Sequence, residues 1–398
     1  MTLSRGSHYL AIPGPSVMPD AVLRAMHRPA PNIYTGELVD MVDTILPDLR
    51  RVAGTEGEVA IYISNGHGAW EAALTNVFSR GDRVLALATG RFTHGWADMA
   101  ERLGIRVDRM DFGRQAAIDP AAVEAALAAD TDRAIKAVIC VQVDTASSVR
   151  NDIPALRAAI DRAGHPALLL VDCIACLAVD AFRMDAWGVD VMVSASQKGL
   201  MTPPGLGFVF FNERAEAARE HADLVTGYWD WRPRANPDVF YQHFCGTAPT
   251  HHLYGLRAAL DLINEEGIEA VWARHAALAH AVWAAFDAWG AGGPLALNIA
   301  DPACRSHAVT TVRAGKENGT RLRDWVSAHA GVTLGIGLGM ATEEDPASDG
   351  AFRVGHMGHV NAQMVMGALG AIDAGLKALG IPHGPGALEA ASEVLSRA

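Results

Sequence analysis

Between residues 59 and 212 the chain alternates short, largely apolar runs with segments of helical period, and no other feature constrains the fold as tightly. The runs are VAIYIS (59–64), RVLALAT (83–89), RVDRMDF (106–112), AVICVQV (137–143), ALLLVD (167–172), DVMVSAS (190–196) and GFVFFN (207–212). Helical stretches separate the first five: GAWEAALTNVF (68–78), a segment through DMAERLG, PAAVEAALAA and IPALRAAIDRA. Strands without polar alternation are covered on both faces, and crossovers of helical length join parallel neighbours. The pattern therefore predicts an α/β fold, its large domain built on a mainly parallel, seven-stranded sheet covered by helices.

Beyond residue 212 the pattern becomes irregular and aromatic, as in TGYWDWRPRANPDVFYQHF (226–244), a segment that suits an interface or a pocket wall. From about His251 one long amphipathic stretch is expected to run to Trp289, and GAGGP (290–294) breaks it. After the break SHAVTTVRA, VTLGIGL and FRVGHMG read as strands, and GTRLRDWVSAHA and NAQMVMGALGAIDAGLKALG as helices. These form a small C-terminal α/β domain, with ATEEDPASDG (341–350) as a surface excursion. The expected division is an N-terminal segment (1–20), a large domain (21–262) and a small domain (263–398).

A chain of 398 residues that is 50% hydrophobic can bury more than one core, which excludes disorder. Its net charge of −12, with no run of Lys or Arg, argues against nucleic acid or an anionic membrane as a partner and favours a small metabolite. No window approaches the roughly 20 apolar residues of a membrane helix, and the opening MTLSRGSHYLAIPGPS lacks the charge-then-apolar order of a leader. A cytoplasmic protein is expected. Five cysteines, an odd number in a long chain, fit free thiols in a reducing compartment. Lysine is scarce: Lys136, Lys198, Lys316 and Lys377 are the whole set.

In an open parallel sheet ligands gather outside the carboxyl ends of the strands, so the residues that follow each strand carry the most information. After the first strand, Ser64-Asn65-Gly66-His67-Gly68 leads directly into a helix. Its glycines permit a tight turn, and the free amides of a helix start can hold a phosphate. ALLLVD ends in Asp172, which is either a solvated strand end or a buried acid paired to a cationic ligand nitrogen. DVMVSAS runs into Gln197-Lys198-Gly199 and a Pro/Gly turn, where a long cation is unusual and where desolvation would free the amine as a Schiff-base nucleophile. An anion cradle, a strand-end acid and an amine nucleophile together match the needs of pyridoxal phosphate.

At SNGHGAWEAALTNV, VDCIA, SASQKGLMTPPG and FRVGHMG the chain resembles the fold-type-I pyridoxal-phosphate enzymes, and among them the class V alanine–glyoxylate and serine–glyoxylate aminotransferases. The resemblance runs from IPGPSVMP (12–19) through Arg353. It implies that Lys198 bonds the cofactor aldehyde and that Asp172 keeps the pyridine nitrogen protonated. Phe92 would stack on one ring face and Ile174 on the other. Asn65, the amides of Gly66, His67 and Gly68, the Gln197 side chain and Thr247 of a neighbouring subunit would hold the phosphate, with Thr145 close by. Arg353 would clamp the substrate carboxylate in bidentate fashion, and Gly14, on the N-terminal segment that reaches the active site, would line the substrate side. Phe244 and Thr247 fall at the intersubunit position of the family, which implies a homodimer with shared sites. The activity implied is transfer of an amino group from alanine, serine or aspartate to glyoxylate or pyruvate.

The chain departs from the family at Asn32-Ile33-Tyr34, where a charged triplet is common, and at GPSV (14–17), which lacks an asparagine. Phe244 replaces a common tyrosine, and Ser148 stands where glycine is usual. Segments such as GIEAVWARHA and RVGHMGH also resemble pyridoxamine–pyruvate aminotransferase, which has an acid at the position of Asn65; this is the alternative activity. From a different class, Cys173-Ile174-Ala175-Cys176 has the spacing of a thiol redox pair. His251-His252, and Cys304 near His307, lack the partners of a metal site, so no metal is expected. No G-x-G-x-x-G follows the first strand, which disfavours a dinucleotide enzyme.

Overall fold

A computed structural model describes residues 3–398; the first two residues of the 1–20 segment lie outside the described residues. The seven apolar runs form one sheet: β2 (Glu58–Ser64), β3 (Arg83–Ala88), β4 (Arg106–Asp111), β5 (Ile135–Val141), β6 (Leu168–Asp172), β7 (Val191–Ala195) and β8 (Gly205–Phe211). Their order is β2-β8-β7-β6-β5-β3-β4. Every pairing from β7 to β4 is parallel, and only β8 runs against its neighbours.

The absence of alternation in these runs has a direct cause. Leu169 and Val171 of β6 enter one core, while Leu168 and Leu170 enter another on the opposite face. Each face is roofed by helices, so both side-chain parities must be apolar. The edge strand β4, RVDRMD, has no buried position and carries the charges that discourage edge pairing.

A second sheet has the order β1-β11-β12-β10-β9, formed by β1 (Tyr9–Ala11), β9 (Ala296–Leu297), β10 (Val309–Arg313), β11 (Val332–Ile336) and β12 (Ala351–Gly355). It has its own core, which includes Phe286, Trp289, Val312 and Leu369. β1 was not expected as a strand. It pairs with β11 in parallel and ties the N-terminal segment to the second sheet before the chain crosses to the first.

The stretch from His251 to Trp289 is two helices rather than one, Thr250–Glu266 and Ile268–Gly290, hinged at Gly267 with φ +85. Only glycine adopts this conformation without strain, and the amphipathic period continues across it, which hides the break from the sequence. The second helix gives Val271 to the core of the large sheet and Val282, Phe286 and Trp289 to that of the small one. The helices Asp20–Met26 and Glu37–Ala53, which precede the expected series, pack beneath Thr250–Glu266. Among the described residues no helix is long and apolar enough to cross a membrane.

Candidate active site

The carboxyl ends of β2, β5, β6 and β7 meet at a cavity of about 220 Å³. Of the residues singled out in the sequence, Asn65, Gly66, His67, Phe92, Thr145, Asp172, Ile174, Gln197 and Lys198 line it together. Gly68 lies just behind, where a Cβ would come within 2.8 Å of Ser64 Oγ. At position 66 a Cβ would overlap Ile174 Cδ1 on the facing turn, so any side chain there forces the Ile174 end to shift.

Asn65 caps the helix Gly66–Val77, its Oδ1 accepting the His67 N–H at 3.0 Å. The capping bond engages one of the three amides expected to form the cradle. Gln197 lines the same cavity, and its buried Oε1, an acceptor, has no hydrogen-bond partner among the described residues; donation to an anion would fall to its Nε2. A buried polar atom left unpaired is costly, and one beside a cavity marks a place where a ligand completes the bonding.

Asp172 is the last residue of β6 and only 2% exposed. Its Oδ1 accepts the Ile174 N–H at 2.7 Å and its Oδ2 the Trp70 Nε1–H at 2.7 Å. Burial pushes the carboxyl up to about 7, although both hydrogen bonds favour the ionised form. Lys198 follows β7, held by the N-terminal segment. Ser16 Oγ donates to the Lys198 carbonyl at 2.7 Å, Ser16 N–H to the Gln197 carbonyl at 2.9 Å, and Lys198 Nζ to the Pro13 carbonyl. Gly14 packs so closely that a Cβ would lie 2.6 Å from Lys198 Cε. Burial, reinforced by the Arg353 charge and opposed by Asp172, lowers the amine to about 8. The amine can therefore be neutral near physiological pH.

Arg353 lies on β12, opposite Thr311 and Gly335. It is 6% exposed, and its Nε and Nη1 donate to the Ile336 and Thr145 carbonyls at 2.7 and 2.9 Å. A guanidinium has five N–H donors, so three remain for a carboxylate. Burial lowers it to about 10, and Asp144 opposes the shift.

Asp144 was not singled out in the sequence, although it too is an acid at a strand end. Its carboxylate accepts the Phe92 N–H and the Ala146 N–H, each at 2.8 Å, and so fixes the helix that carries Phe92. Trp70 and the Pro13 carbonyl were also missed. Neither has a sequence signature, because each acts through a contact between distant segments. Ser148, where the family prefers glycine, sits at φ +63 in the left-handed region.

Two expectations need revision, those for Phe244 and for the Cys173/Cys176 pair. Phe244 is 1% exposed and packs on Phe240 at 5.7 Å inside its own chain, so its ring faces the core rather than a partner. Thr247 is exposed and outside the cavity. Cys173 and Cys176 are fully buried, and burial raises both thiols. A redox pair needs accessible sulfur and a lowered thiol, so that reading fails. The aromatic segment packs on the large sheet: Trp231 stacks on Phe211 at 4.3 Å, and buried Arg234 lies over Tyr62 at 4.4 Å and Tyr228 at 4.7 Å. His251 and His252 meet backbone carbonyls, and His307 Nδ1 lies 2.9 Å from Asp180.

A lysine amine and a buried acid thus face one cavity at the carboxyl ends of a sheet covered on both sides, an arrangement suited to an enzyme. The chain matches the model of the aminotransferase class-V family over residues 8–344 and belongs to that family, as a transaminase of fold type I. It is 36% identical to a serine–glyoxylate aminotransferase of Methylorubrum extorquens, over 97% of this chain and 95% of that protein. It is 34% identical to an L-aspartate–glyoxylate aminotransferase of Paracoccus denitrificans, over 93% and 91%. Pyridoxamine–pyruvate aminotransferase from Mesorhizobium loti superposes with a TM-score of 0.87 at 26% identity, over 100% of both chains.

Proposed function

We propose that this transaminase uses pyridoxal phosphate to move the amino group of a small amino acid, alanine, serine or aspartate, to glyoxylate or pyruvate. The observation that carries the reading is the pairing of a buried, readily neutral Lys198 amine with a buried Asp172 across one cavity. The unpaired Gln197 Oε1 and the absence of a Cβ at Gly66 fit a cofactor bound there. When bound, that cofactor supplies an aldehyde and an electron-withdrawing ring.

The protein side of the chemistry follows from position. Asp172 pairs with the ring nitrogen, while Phe92 and Ile174 hold the ring between them. The Gly66 and Gly68 amides, Asn65, Gln197 and the partner's Thr247 hold the phosphate; His67 N–H joins them once Asn65 releases it. Thr145 borders the ring, and Arg353 receives the substrate carboxylate on its three free N–H groups. Lys198 Nζ would hold the cofactor through its amine and, as a free amine, would carry the substrate's Cα proton as general base and acid. The Pro13 carbonyl and Gly14 confine its swing. Burial of the Lys198 and Asp172 side chains would keep water from competing for the proton that Lys198 moves.

We further propose a homodimer in the cytoplasm, organised as a 1–20 segment that reaches the site, a large domain (21–262) and a small domain (263–398). The exposure of Thr247 supports its reaching a second subunit. The test is the spectrum of the purified holoenzyme, followed as alanine, serine or aspartate is added and then glyoxylate or pyruvate. Lys198→Ala should lose both the lysine-bound absorbance and turnover; retention of either sinks the assignment. One observation favours a second reading, pyridoxamine–pyruvate transamination: Asn65 engages the His67 N–H and so thins the phosphate cradle. Turnover of free pyridoxamine with pyruvate, without phosphate, would establish it.

A further inference from the structure

Among the described residues, Asp172 receives two hydrogen bonds, one to each carboxylate oxygen. The Ile174 N–H belongs to the turn that follows β6 and cannot change independently of it. The Trp70 indole arrives from a helix whose N-terminus also lines the cavity. Trp70 is 1% exposed, stacks on Trp96 at 6.0 Å and meets Phe92 edge-on at 6.3 Å. The His67 ring lies 4.6 Å from it. One side chain thus touches the acid, the ring-face aromatic and the anion cradle.

An indole N–H donates and cannot accept. It therefore bonds the ionised carboxylate more strongly than the protonated acid, whose remaining acceptor is weaker and whose O–H finds no acceptor in the indole, whereas a histidine or asparagine at this place could satisfy either form. With a donor on each oxygen, the carboxylate plane cannot turn about its terminal torsion, otherwise broad and loosely set, without breaking a bond. We propose that Trp70 is a positioning residue, whose indole N–H orients the Asp172 carboxylate toward the cofactor's ring nitrogen and keeps it charged. The proposal rests on the reading of this cavity as a pyridoxal-phosphate site. It also explains why a donor stands here when packing alone would accept any large ring.

The experiment reconstitutes the enzyme with cofactor labelled with ¹⁵N in its ring and reads the ¹⁵N resonance, with cofactor affinity measured in parallel. Trp70→Phe removes the donor. Replacement of Trp70 by β-(3-benzothienyl)alanine removes it while keeping the bicyclic volume, and so decides the matter if the phenylalanine variant fails to fold. In either variant the ring nitrogen should shift toward its unprotonated position and affinity should fall about 10- to 100-fold, the effect of one hydrogen bond to a charged group. Trp96→Phe, which loosens the same stack without touching Asp172, should leave the resonance in place. A resonance unmoved in the benzothienyl protein, with affinity within about twofold of wild type, overturns the role of Trp70. A wild-type protein that binds no pyridoxal phosphate overturns the site reading itself.

Discussion

The Lys198 amine offers the sharpest quantitative test. Burial and the Arg353 charge lower it from 10.5 to about 8. At pH 7 a lysine at 10.5 is neutral about 0.03% of the time and one at 8 about 9%, so Lys198 holds roughly 300 times more free amine. Its reactive fraction rises with pH through about 8 and levels off above 9, while an ordinary lysine is still gaining at 10. Competitive trace acetylation of the cofactor-free protein from pH 6 to 11, resolved peptide by peptide, measures this directly. The chain has only three other lysines, Lys136, Lys316 and Lys377, and they act as references in the same sample. Limited access lowers the rate at Lys198 without moving its midpoint. Arg353→Gln removes the nearby cation and should raise the midpoint. A Lys198 midpoint above 10, or one unmoved in Arg353→Gln, refutes the electrostatic argument.

The other predictions concern the acid, the clamp and the cradle. Because the Asp172 carboxyl rises to about 7, its stabilising contribution is full below the ordinary carboxyl range, near 4, and declines as pH climbs through 7. Cofactor-free Asp172→Asn should therefore be more stable than wild type at pH 8, by up to about 4 kcal/mol in urea unfolding, with the gap closing toward pH 4; an equal stability at pH 8 contradicts the buried charge. The same variant should bind pyridoxal phosphate poorly. Arg353→Gln should raise KM for the amino acid roughly 10- to 150-fold and leave cofactor affinity nearly unchanged, whereas equal loss of both would assign Arg353 to structure. Gly66→Ala should cost about 1–3 kcal/mol and weaken cofactor binding through overlap with Ile174 Cδ1. Ile174→Val, which deletes that methyl, should restore part of the loss; strictly additive effects would rule the overlap out.

The legible part of the site consists of residues that break their local pattern. Asp172 and Lys198 are charges at the ends of apolar strands, and such placements are rare unless something balances the charge. The glycines before the first sheet helix mark a turn and an approach, and the doubly apolar strands announced a sheet covered on both sides. Other features were read less well for reasons specific to each. The expected free amide of His67 is engaged because Asn65, itself expected to bind ligand, serves its own helix first. Phe244 turned inward because packing on Phe240 outweighed exposure. The break at Gly267 left the helical period uninterrupted.

What the amino-acid order determined alone is the class of fold, the positions of the strand ends and the identities of the amine and the acid, since side-chain parity and polarity are local properties of the chain. What the tertiary structure decided is which distant groups tune them: Trp70 on Asp172, Pro13 on Lys198, Asp144 under Phe92, and the Thr145 and Ile336 carbonyls on Arg353. Those contacts join segments apart in the chain, and hydrogen bonds act over about 3 Å, so only the packing of helices on the large sheet, of strand on strand, and of one sheet's segments against the other's brings donor and acceptor into range.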